Sequence, residues 1–161
     1  MQAGRGPYLT LLGLLASQSL MQGCDASGCP NGWRKYQRYC YGIFVSKQDW
    51  IQAEMDCQNY GNSGHLVSIL SDQEAELVSK FIMNNHPNVG SIWIGLRDRM
   101  KNGRWRWADS STSKYTGWVG GEPKKVDESG FCAYLSKKQE YQEWNDAFCT
   151  TPMAYVCEFV L

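Results

Sequence analysis

Seven cysteines in a chain of 161 residues constrain the fold more than any other feature of this sequence. So many cysteines in a short chain indicate an oxidising compartment, where thiols pair into disulfides. Six paired cysteines allow fifteen connectivities, so the sequence by itself leaves the pairing open. We therefore expect a domain whose irregular segments are held in place by covalent cross-links.

The N-terminal segment has the features of a secretory signal peptide. A basic residue precedes the apolar run 9–16, which is too short to span a bilayer. Cleavage after Ser19 and cleavage after Gly23 both fit, and the sequence does not decide between them. With an approximate cleavage site, we assign residues 1–23 to a signal peptide and 24–161 to a single domain. We expect a secreted, extracellular protein without a transmembrane segment.

The charge balance argues against a nucleic-acid partner. The chain has 16 basic and 16 acidic side chains, whereas nucleic-acid-binding domains usually carry a basic excess. A metal hydrolase would need histidine or free cysteine ligands, but only 2 histidines are present. No nucleophile motif such as Gly-x-Ser-x-Gly occurs either. We therefore do not expect an enzyme.

Two segments have the patterns of amphipathic helices. In the first, Ser46 is the predicted N-cap, and an apolar face follows at helical spacing: Trp50, Ala53 and Cys57. The second opens with a capping-box pattern from Ser71 to Glu74 and ends before Pro87. Its inward positions are predicted to be Ala75, Val78 and Ile82.

Short apolar or alternating runs between and after these helices predict strands. They lie at 33–41 (a strand or hairpin), 65–70, 92–96, 104–107, 131–135 and 153–160. A segment rich in Gly, Ser, Thr and Pro, 110–129, has no clear period, and irregular loops of this length are usually functional. Two helices followed by many short strands indicate an α+β domain.

The stretch 120–149 contains the side chains best suited to bind a metal ion or a sugar. Glu122, Asn145 and Asp146 offer carboxylate and amide oxygens, which are ligands for a hard cation such as Ca²⁺ and acceptors for sugar hydroxyls. Lys124 lies two residues after Glu122, where a further oxygen would be most useful. An ammonium there offers donors only and repels a divalent ion.

The ordered set of motifs resembles a C-type lectin-like domain from about residue 29 to 160. The resemblance is strongest to the secreted regenerating-protein (lithostathine) branch, with venom and eggshell C-type lectins as near alternatives. It rests on motifs that are individually unspecific but specific as a series: Cys29-Pro-x-Gly-Trp33, Cys40-Tyr41, Trp50 with Ala53, Glu54 and Cys57, Gly64 to Ile69, Trp93-Ile-Gly-Leu96, Trp105-x-Trp107, Glu122-Pro123 and Trp144-Asn-Asp146.

The resemblance implies the fold and the disulfides. It predicts a C-type lectin-like α+β fold with two helices, antiparallel strands, a long irregular binding loop and three internal disulfides. Those disulfides join Cys29 to Cys40, Cys57 to Cys157 and Cys132 to Cys149. Cys24 is then left over, and a homodimer through Cys24 is one expectation. The resemblance also implies a cis bond before Pro123.

The resemblance further implies a calcium site that this sequence matches only in part. Glu122, Asn145 and Asp146 match the family's metal ligands, whereas Lys124 and Gly130 stand at two ligand positions. Ca²⁺ takes 6–8 oxygens, so we expect a calcium site that is weak or lost. Asp127 and Glu128 lie close enough in sequence to compensate. A double substitution, Lys124→Asn with Gly130→Glu, should restore calcium-dependent sugar binding if only the ligands have changed.

Two functions remain open from the sequence. The first is a secreted carbohydrate-binding protein for mannose-type or polysaccharide ligands on glycans or glycoproteins, with weak or absent calcium dependence. Its predicted carbohydrate-binding residues are Glu122, Lys124, Asn145 and Asp146. The alternative is a lectin-like domain that binds a protein or a surface without sugar, in a signalling, venom or mineral-matrix role. Trp144 is predicted to lie in the core rather than to form a sugar platform.

Overall fold

The computed structural model describes residues 28–124 and 130–161 of the chain. The predicted signal peptide, Cys24, Asp127 and Glu128 lie outside the described residues, so those expectations stay predictions. None of the helices in the described part of the chain is long and apolar enough to cross a membrane.

The described chain contains two α-helices and eight strands in the order β1–β2–α1–β3–α2–β4–β5–β6–β7–β8. Their bounds are β1 Arg34–Tyr36, β2 Tyr39–Gln48, α1 Trp50–Cys57, β3 His65–Leu66, α2 Asp72–Asn85, β4 Ile92–Arg97, β5 Arg106–Trp107, β6 Phe131–Leu135, β7 Trp144–Phe148 and β8 Met153–Val160. A short 3₁₀ helix, Lys137–Gln139, lies between β6 and β7. The α+β class predicted from the sequence is therefore confirmed.

The strands of the described chain form one sheet whose main path runs β1-β2-β8-β4-β6-β7, with β3 paired to β8 and β5 to β4. The pairs are antiparallel except that β4 runs parallel to β8, with Ile92 opposite Ala154 and Trp93 opposite Tyr155. The resemblance implies antiparallel strands, and this one pair departs from that pattern. The parallel pair is possible because three strands and their loops separate β4 from β8, and parallel neighbours need a long crossover.

Helix α1 begins later than the sequence indicates. Ser46 lies within β2, and Asp49 is the N-cap, with its carboxylate accepting a hydrogen bond from the Gln52 N–H at 2.8 Å. The predicted cap was wrong because β2 pairs with β8 as far as Gln48, and this pairing keeps the backbone extended past Ser46. The predicted apolar face is nevertheless buried: Trp50, Ala53 and Cys57.

Helix α2 has the predicted boundaries. Ser71 is the N-cap and its hydroxyl accepts a hydrogen bond from the Glu74 N–H at 3.2 Å. The Glu74 carboxylate accepts a hydrogen bond from the N–H of Leu70, the residue before the cap, at 2.7 Å. This bond resembles the one that the glutamate of a capping box makes to the cap residue itself. The predicted inward residues are all buried: Ala75, Val78 and Ile82.

Ser71→Ala should lower the free energy of unfolding by about 1 kcal/mol, because the substitution removes the acceptor for an N-terminal N–H of α2. Urea unfolding followed by circular dichroism measures this difference. Ser71→Asp is the matched control, since it keeps an acceptor oxygen and should stay close to the wild type. Equal stability of the alanine variant and the wild type would contradict the role of the cap.

Strand β3 is shorter than its alternating sequence predicts. Leu66 pairs with Cys157, but the Ser68 N–H donates to the Glu158 carboxylate at 3.0 Å instead of to a backbone carbonyl. The ladder therefore ends before the predicted strand 65–70 does. β5 is likewise limited to Arg106 and Trp107, because the residues before it turn around the Asp98 carboxylate, which accepts from the backbone N–H groups of Asn102 and Gly103.

The three disulfides have the pairing that the resemblance implies. Cys29 is bonded to Cys40, Cys57 to Cys157 and Cys132 to Cys149. The second bond joins the end of α1 to β8 across 100 residues of sequence. Closing a loop of that length contributes about 4–5 kcal/mol in the chain-entropy model. The third bond joins β6 to the end of the stretch that carries the candidate site.

Candidate functional site

The candidate site is formed where an irregular loop meets the start of β7. The Trp144 N–H donates to the Gly117 carbonyl at 2.6 Å, and the Val119 N–H donates to the Trp144 carbonyl at 3.0 Å. These two bonds align the loop with the strand. They bring Glu122, at the far end of the loop segment, close to Asp146 on β7. The bond between Glu122 and Pro123 is cis, as the resemblance implies.

An aromatic cluster underlies this junction. Trp144 is 2% exposed, and the prediction that it belongs to the core is confirmed. Its ring makes edge-to-face contacts with Trp107 at 5.3 Å and with Trp118 at 5.6 Å between centroids. Trp118 in turn contacts Trp105 at 4.7 Å. Aromatic pairs of this kind contribute beyond their buried area, so the loop is held without regular structure.

Backbone N–H groups satisfy the carboxylates of the site. The Lys124 N–H donates to Glu122 Oε2 at 3.1 Å and to Asp146 Oδ1 at 3.2 Å. The other Asp146 oxygen, Oδ2, accepts from the Gly130 N–H at 2.6 Å. Asp146 is 5% exposed, so it organises the loop and does not face solvent. These backbone donors have no sequence signal, because every residue other than proline carries the same N–H.

The Lys124 ammonium is the cation of this cluster. Its Nζ lies 3.4 Å from Glu122 Oε1, and the lysine side chain remains about half exposed. The site therefore presents a donor and an acceptor side by side. We call Glu122, Lys124 and Asp146 the lysine–carboxylate cluster.

The two acids of the lysine–carboxylate cluster titrate differently. Burial, together with the hydrogen bond and the negative charge of Asp146, raises the pKa of Glu122, and the Lys124 ammonium only partly opposes this shift. Burial also acts to raise the pKa of Asp146. Hydrogen bonds from Glu122 and from the N–H groups of Gly130 and Lys124 outweigh it, so the pKa of Asp146 is lowered. Asp146 is therefore the acid that stays ionised when one proton is shared between them.

Asn145 is placed apart from the lysine–carboxylate cluster. Its Nδ2 donates to Gln139 Oε1 at 3.4 Å and to the Glu143 carbonyl at 3.5 Å. Consecutive residues of a strand project to opposite faces, and Asn145 and Asp146 are consecutive in β7. Among the described residues, Asn145 makes no hydrogen bond to Glu122, Lys124 or Asp146. Only two of the three predicted metal ligands are brought together.

Position 130 requires glycine because the backbone of β7 lies too close for a side chain. A Cβ at this position would lie 1.8 Å from the carbonyl carbon of Ala147 and 2.3 Å from the Phe148 nitrogen. Both atoms belong to the backbone of β7, which cannot move aside as a flexible side chain could. A glutamate at position 130 therefore does not fit this backbone, so the double substitution considered above would not simply rebuild a ligand set.

The donors that the described residues supply to the site do not by themselves fit Ca²⁺. Both oxygens of Asp146 and one of Glu122 accept from backbone N–H groups, and an ammonium lies next to the remaining Glu122 oxygen. Ca²⁺ needs 6–8 oxygens and is repelled by a neighbouring cation. Within residues 28–124 and 130–161, the structure places no group of three or more His, Cys, Asp or Glu side chains that could hold a metal ion.

The fold agrees with comparisons to known proteins. Residues 46–159 match the family model described as the lectin C-type domain, and the chain belongs to the C-type lectin domain family. It is similar to the regenerating proteins. Regenerating islet-derived protein 4 of Rattus norvegicus is 34% identical over 151 residues, which cover 94% of this chain and 94% of that protein.

Solved structures show the same likeness. Human lithostathine is 35% identical and superposes with a TM-score of 0.78, covering 83% of this chain and 100% of that chain. Ovocleidin-17, described as a major protein of the Gallus gallus eggshell calcified layer, is 27% identical with a TM-score of 0.74, covering 83% of this chain and 100% of that chain. The predicted resemblance to the regenerating-protein branch is confirmed.

Proposed function

We propose that this protein is a secreted carbohydrate-binding protein that recognises mannose-type or polysaccharide ligands without needing calcium. The observation that carries the proposal is the Lys124 ammonium 3.4 Å from Glu122 Oε1. A pair of neighbouring sugar hydroxyls can donate to a carboxylate and accept from an ammonium. In this arrangement the lysine replaces the metal as the positive centre of the site.

The remaining residues of the site support this pair. Asp146 is buried and holds Lys124 and Gly130 through their N–H groups, so it positions the loop and does not touch the ligand. The Asn145 amide, on the neighbouring position of β7, would contact a ligand only through a longer saccharide. Such a site has few direct contacts per sugar, which favours weak binding of a monosaccharide and stronger binding of a repeating polysaccharide through multivalency.

We expect wild-type protein to bind immobilised yeast mannan equally in calcium and in EDTA, and Lys124→Ala to weaken binding about 10-fold. Losing a hydrogen bond to a charged group costs roughly 1.5 kcal/mol or more, which corresponds to that factor. Lys80→Ala is the matched control, because Lys80 is an exposed lysine on α2 that pairs with Glu76. Surface plasmon resonance with both buffers measures all three proteins.

Two results would contradict the proposal. Binding that disappears in EDTA would show that a metal is required. Absence of binding to mannan and to a panel of other polysaccharides would favour the second candidate, a lectin-like domain that binds a protein or a surface. The observation behind that candidate is the likeness to ovocleidin-17, whose description places it in a calcified layer. Binding to calcium carbonate particles tests it directly.

Secretion and a homodimer through Cys24 remain part of the proposal. Both predicted cleavage sites, after Ser19 and after Gly23, leave Cys24 in the mature chain, and sequencing the mature N-terminus from a eukaryotic expression host tests this. A reducing and a non-reducing gel of the same sample then report a disulfide-linked dimer, and a monomer in both lanes would exclude it.

A further inference from the structure

A second concave region lies between α1 and the ends of β4 and β5, and it shares no residue with the lysine–carboxylate cluster. Its volume is about 540 Å³, within the range of small-molecule pockets. The residues that line it are Trp50, Ile51, Glu54, Met55, Gln58, Arg97, Arg99, Arg106, Trp107 and Ala108. We call it the arginine groove.

Three arginines in this groove lack an acidic partner. Among the described residues, neither Arg97 nor Arg99 nor Arg106 takes part in a salt bridge. The Arg97 guanidinium lies over the Trp50 ring at 5.2 Å, and its Nε is buried without a hydrogen-bond partner. Arg106 donates only a long bond of 3.4 Å to the Trp105 carbonyl. Apart from the buried Arg97 Nε, the guanidinium donors of these arginines remain available for an anion.

Glu54 is the carboxylate among the described residues that line the groove, and it is already engaged. Glu54 Oε1 accepts from Gln58 Nε2 at 2.8 Å and lies 2.6 Å from His65 Nδ1. Its other oxygen accepts from the Leu66 N–H at 2.9 Å. Glu54 thus links α1 to β3 and does not neutralise the arginines. Burial, followed by the charge of Arg99, lowers the pKa of Arg97.

Helix α1 contributes apolar side chains to the lining of the groove. Ile51 and Met55, on the outer face of α1, are 42% and 63% exposed. Trp50 and Trp107 also line the groove. Large apolar side chains that are exposed beside unpaired cations fit an amphipathic ligand, which has an apolar body and an anionic end.

We propose that the arginine groove binds an amphipathic organic anion, with a carboxylate or sulfonate head on the three arginines and a ring-sized apolar body against Ile51, Met55 and Trp50. Arginine forms paired hydrogen bonds with carboxylates and sulfonates, which fixes the head. The volume accommodates a body of two fused rings. This site is independent of the carbohydrate site proposed above.

The fluorescent probe 8-anilinonaphthalene-1-sulfonate has both parts of such a ligand. We expect it to bind the folded, full mature protein, and expect Arg99→Gln with Arg106→Gln to weaken binding at least about 10-fold. Both arginines are exposed, so their replacement should leave thermal unfolding unchanged. Arg104→Gln is the matched control, since Arg104 is an exposed arginine near β5 that does not line the groove. Lys124→Ala should also bind the probe as the wild type does.

Competition identifies the chemistry that is recognised. Naphthalene-2-carboxylate should displace the probe, whereas the neutral 2-naphthamide and inorganic sulfate should not do so at the same concentration. Equal binding by the double variant and the wild type would overturn the proposal. So would displacement by inorganic sulfate alone, which indicates a simple anion site, or by heparin at far lower concentration, which indicates a surface for polyanions.

Discussion

Gly130→Ala should lower the free energy of unfolding by at least about 3 kcal/mol, although the change adds a single methyl group. The added Cβ would lie 1.8 Å from the carbonyl carbon of Ala147. Overpacking usually costs about 1–3 kcal/mol when side chains can adjust. Here the obstacle is the backbone of β7, and displacing it also disturbs the N–H group that Gly130 donates to Asp146.

Gly120→Ala is the matched control for this prediction. Gly120 lies in the same stretch of chain, and a Cβ there would meet no atom within 4 Å. Its variant should unfold within about 0.5 kcal/mol of the wild type in urea, as surface substitutions usually do. If Gly130→Ala and Gly120→Ala were equally stable, the close approach of residue 130 to β7 would be wrong.

The close approach of residue 130 to β7 also affects whether calcium binding could be restored. If only the calcium ligands had changed, Lys124→Asn with Gly130→Glu would restore calcium-dependent sugar binding, and the sequence leaves that condition open. The geometry makes Gly130 a structural residue of the present loop. We therefore expect the double variant to be destabilised rather than to gain calcium-dependent binding.

Elements whose determinants are local could be predicted from the sequence. Helix α2 begins and ends as predicted because Ser71, Glu74 and Pro87 act on neighbouring backbone groups. Helix α1 was misplaced because the pairing of β2 with β8, about 100 residues away, decides where the extended chain ends. The local N-cap pattern at Ser46 contains no information about this long-range strand pairing.

The candidate site shows the same division. Glu122 and Asp146 could be predicted to share one site because the ordered series of motifs that contains them is specific as a set, and both accept from the Lys124 N–H. The separation of Asn145 from them follows from strand alternation in β7, and the satisfaction of Asp146 follows from two backbone N–H groups. The groove of Arg97, Arg99 and Arg106 was not foreseen either, because it joins three elements and contains no motif.

Glu158 was hidden within the predicted apolar strand β8. It is 4% exposed and pairs opposite Tyr41 of β2 and His65 of β3. Burial, with the nearby carboxylates of Asp109 and Glu74, raises the pKa of Glu158 to about 8, although the Ser68 N–H opposes the shift. Burial, followed by the charge of Glu158, also raises the pKa of Tyr41.

Wild-type protein should become less stable between about pH 5 and pH 8. The folded state holds the Glu158 proton more tightly than the unfolded state, whose pKa is near 4.5. Its stabilising contribution is therefore complete below the unfolded pKa and is lost as the pH rises through the folded value. A pKa raised from 4.5 to about 8 corresponds to an upper limit of roughly 5 kcal/mol.

Glu158→Gln should abolish most of this decline, because glutamine keeps an acceptor for the Ser68 N–H and does not ionise. Urea unfolding at pH 4, 6 and 8.5 measures the free energy of unfolding of both proteins. The variant should be more stable than the wild type, and the difference should be largest at pH 8.5. Glu143→Gln, at an exposed glutamate on the surface, should retain the wild-type decline. Parallel pH dependences of Glu158→Gln and the wild type would show that the buried carboxyl does not control stability. If Glu158→Gln is more stable than the wild type at pH 8.5 but not at pH 4, the wild type loses stability at high pH because Glu158 loses its proton.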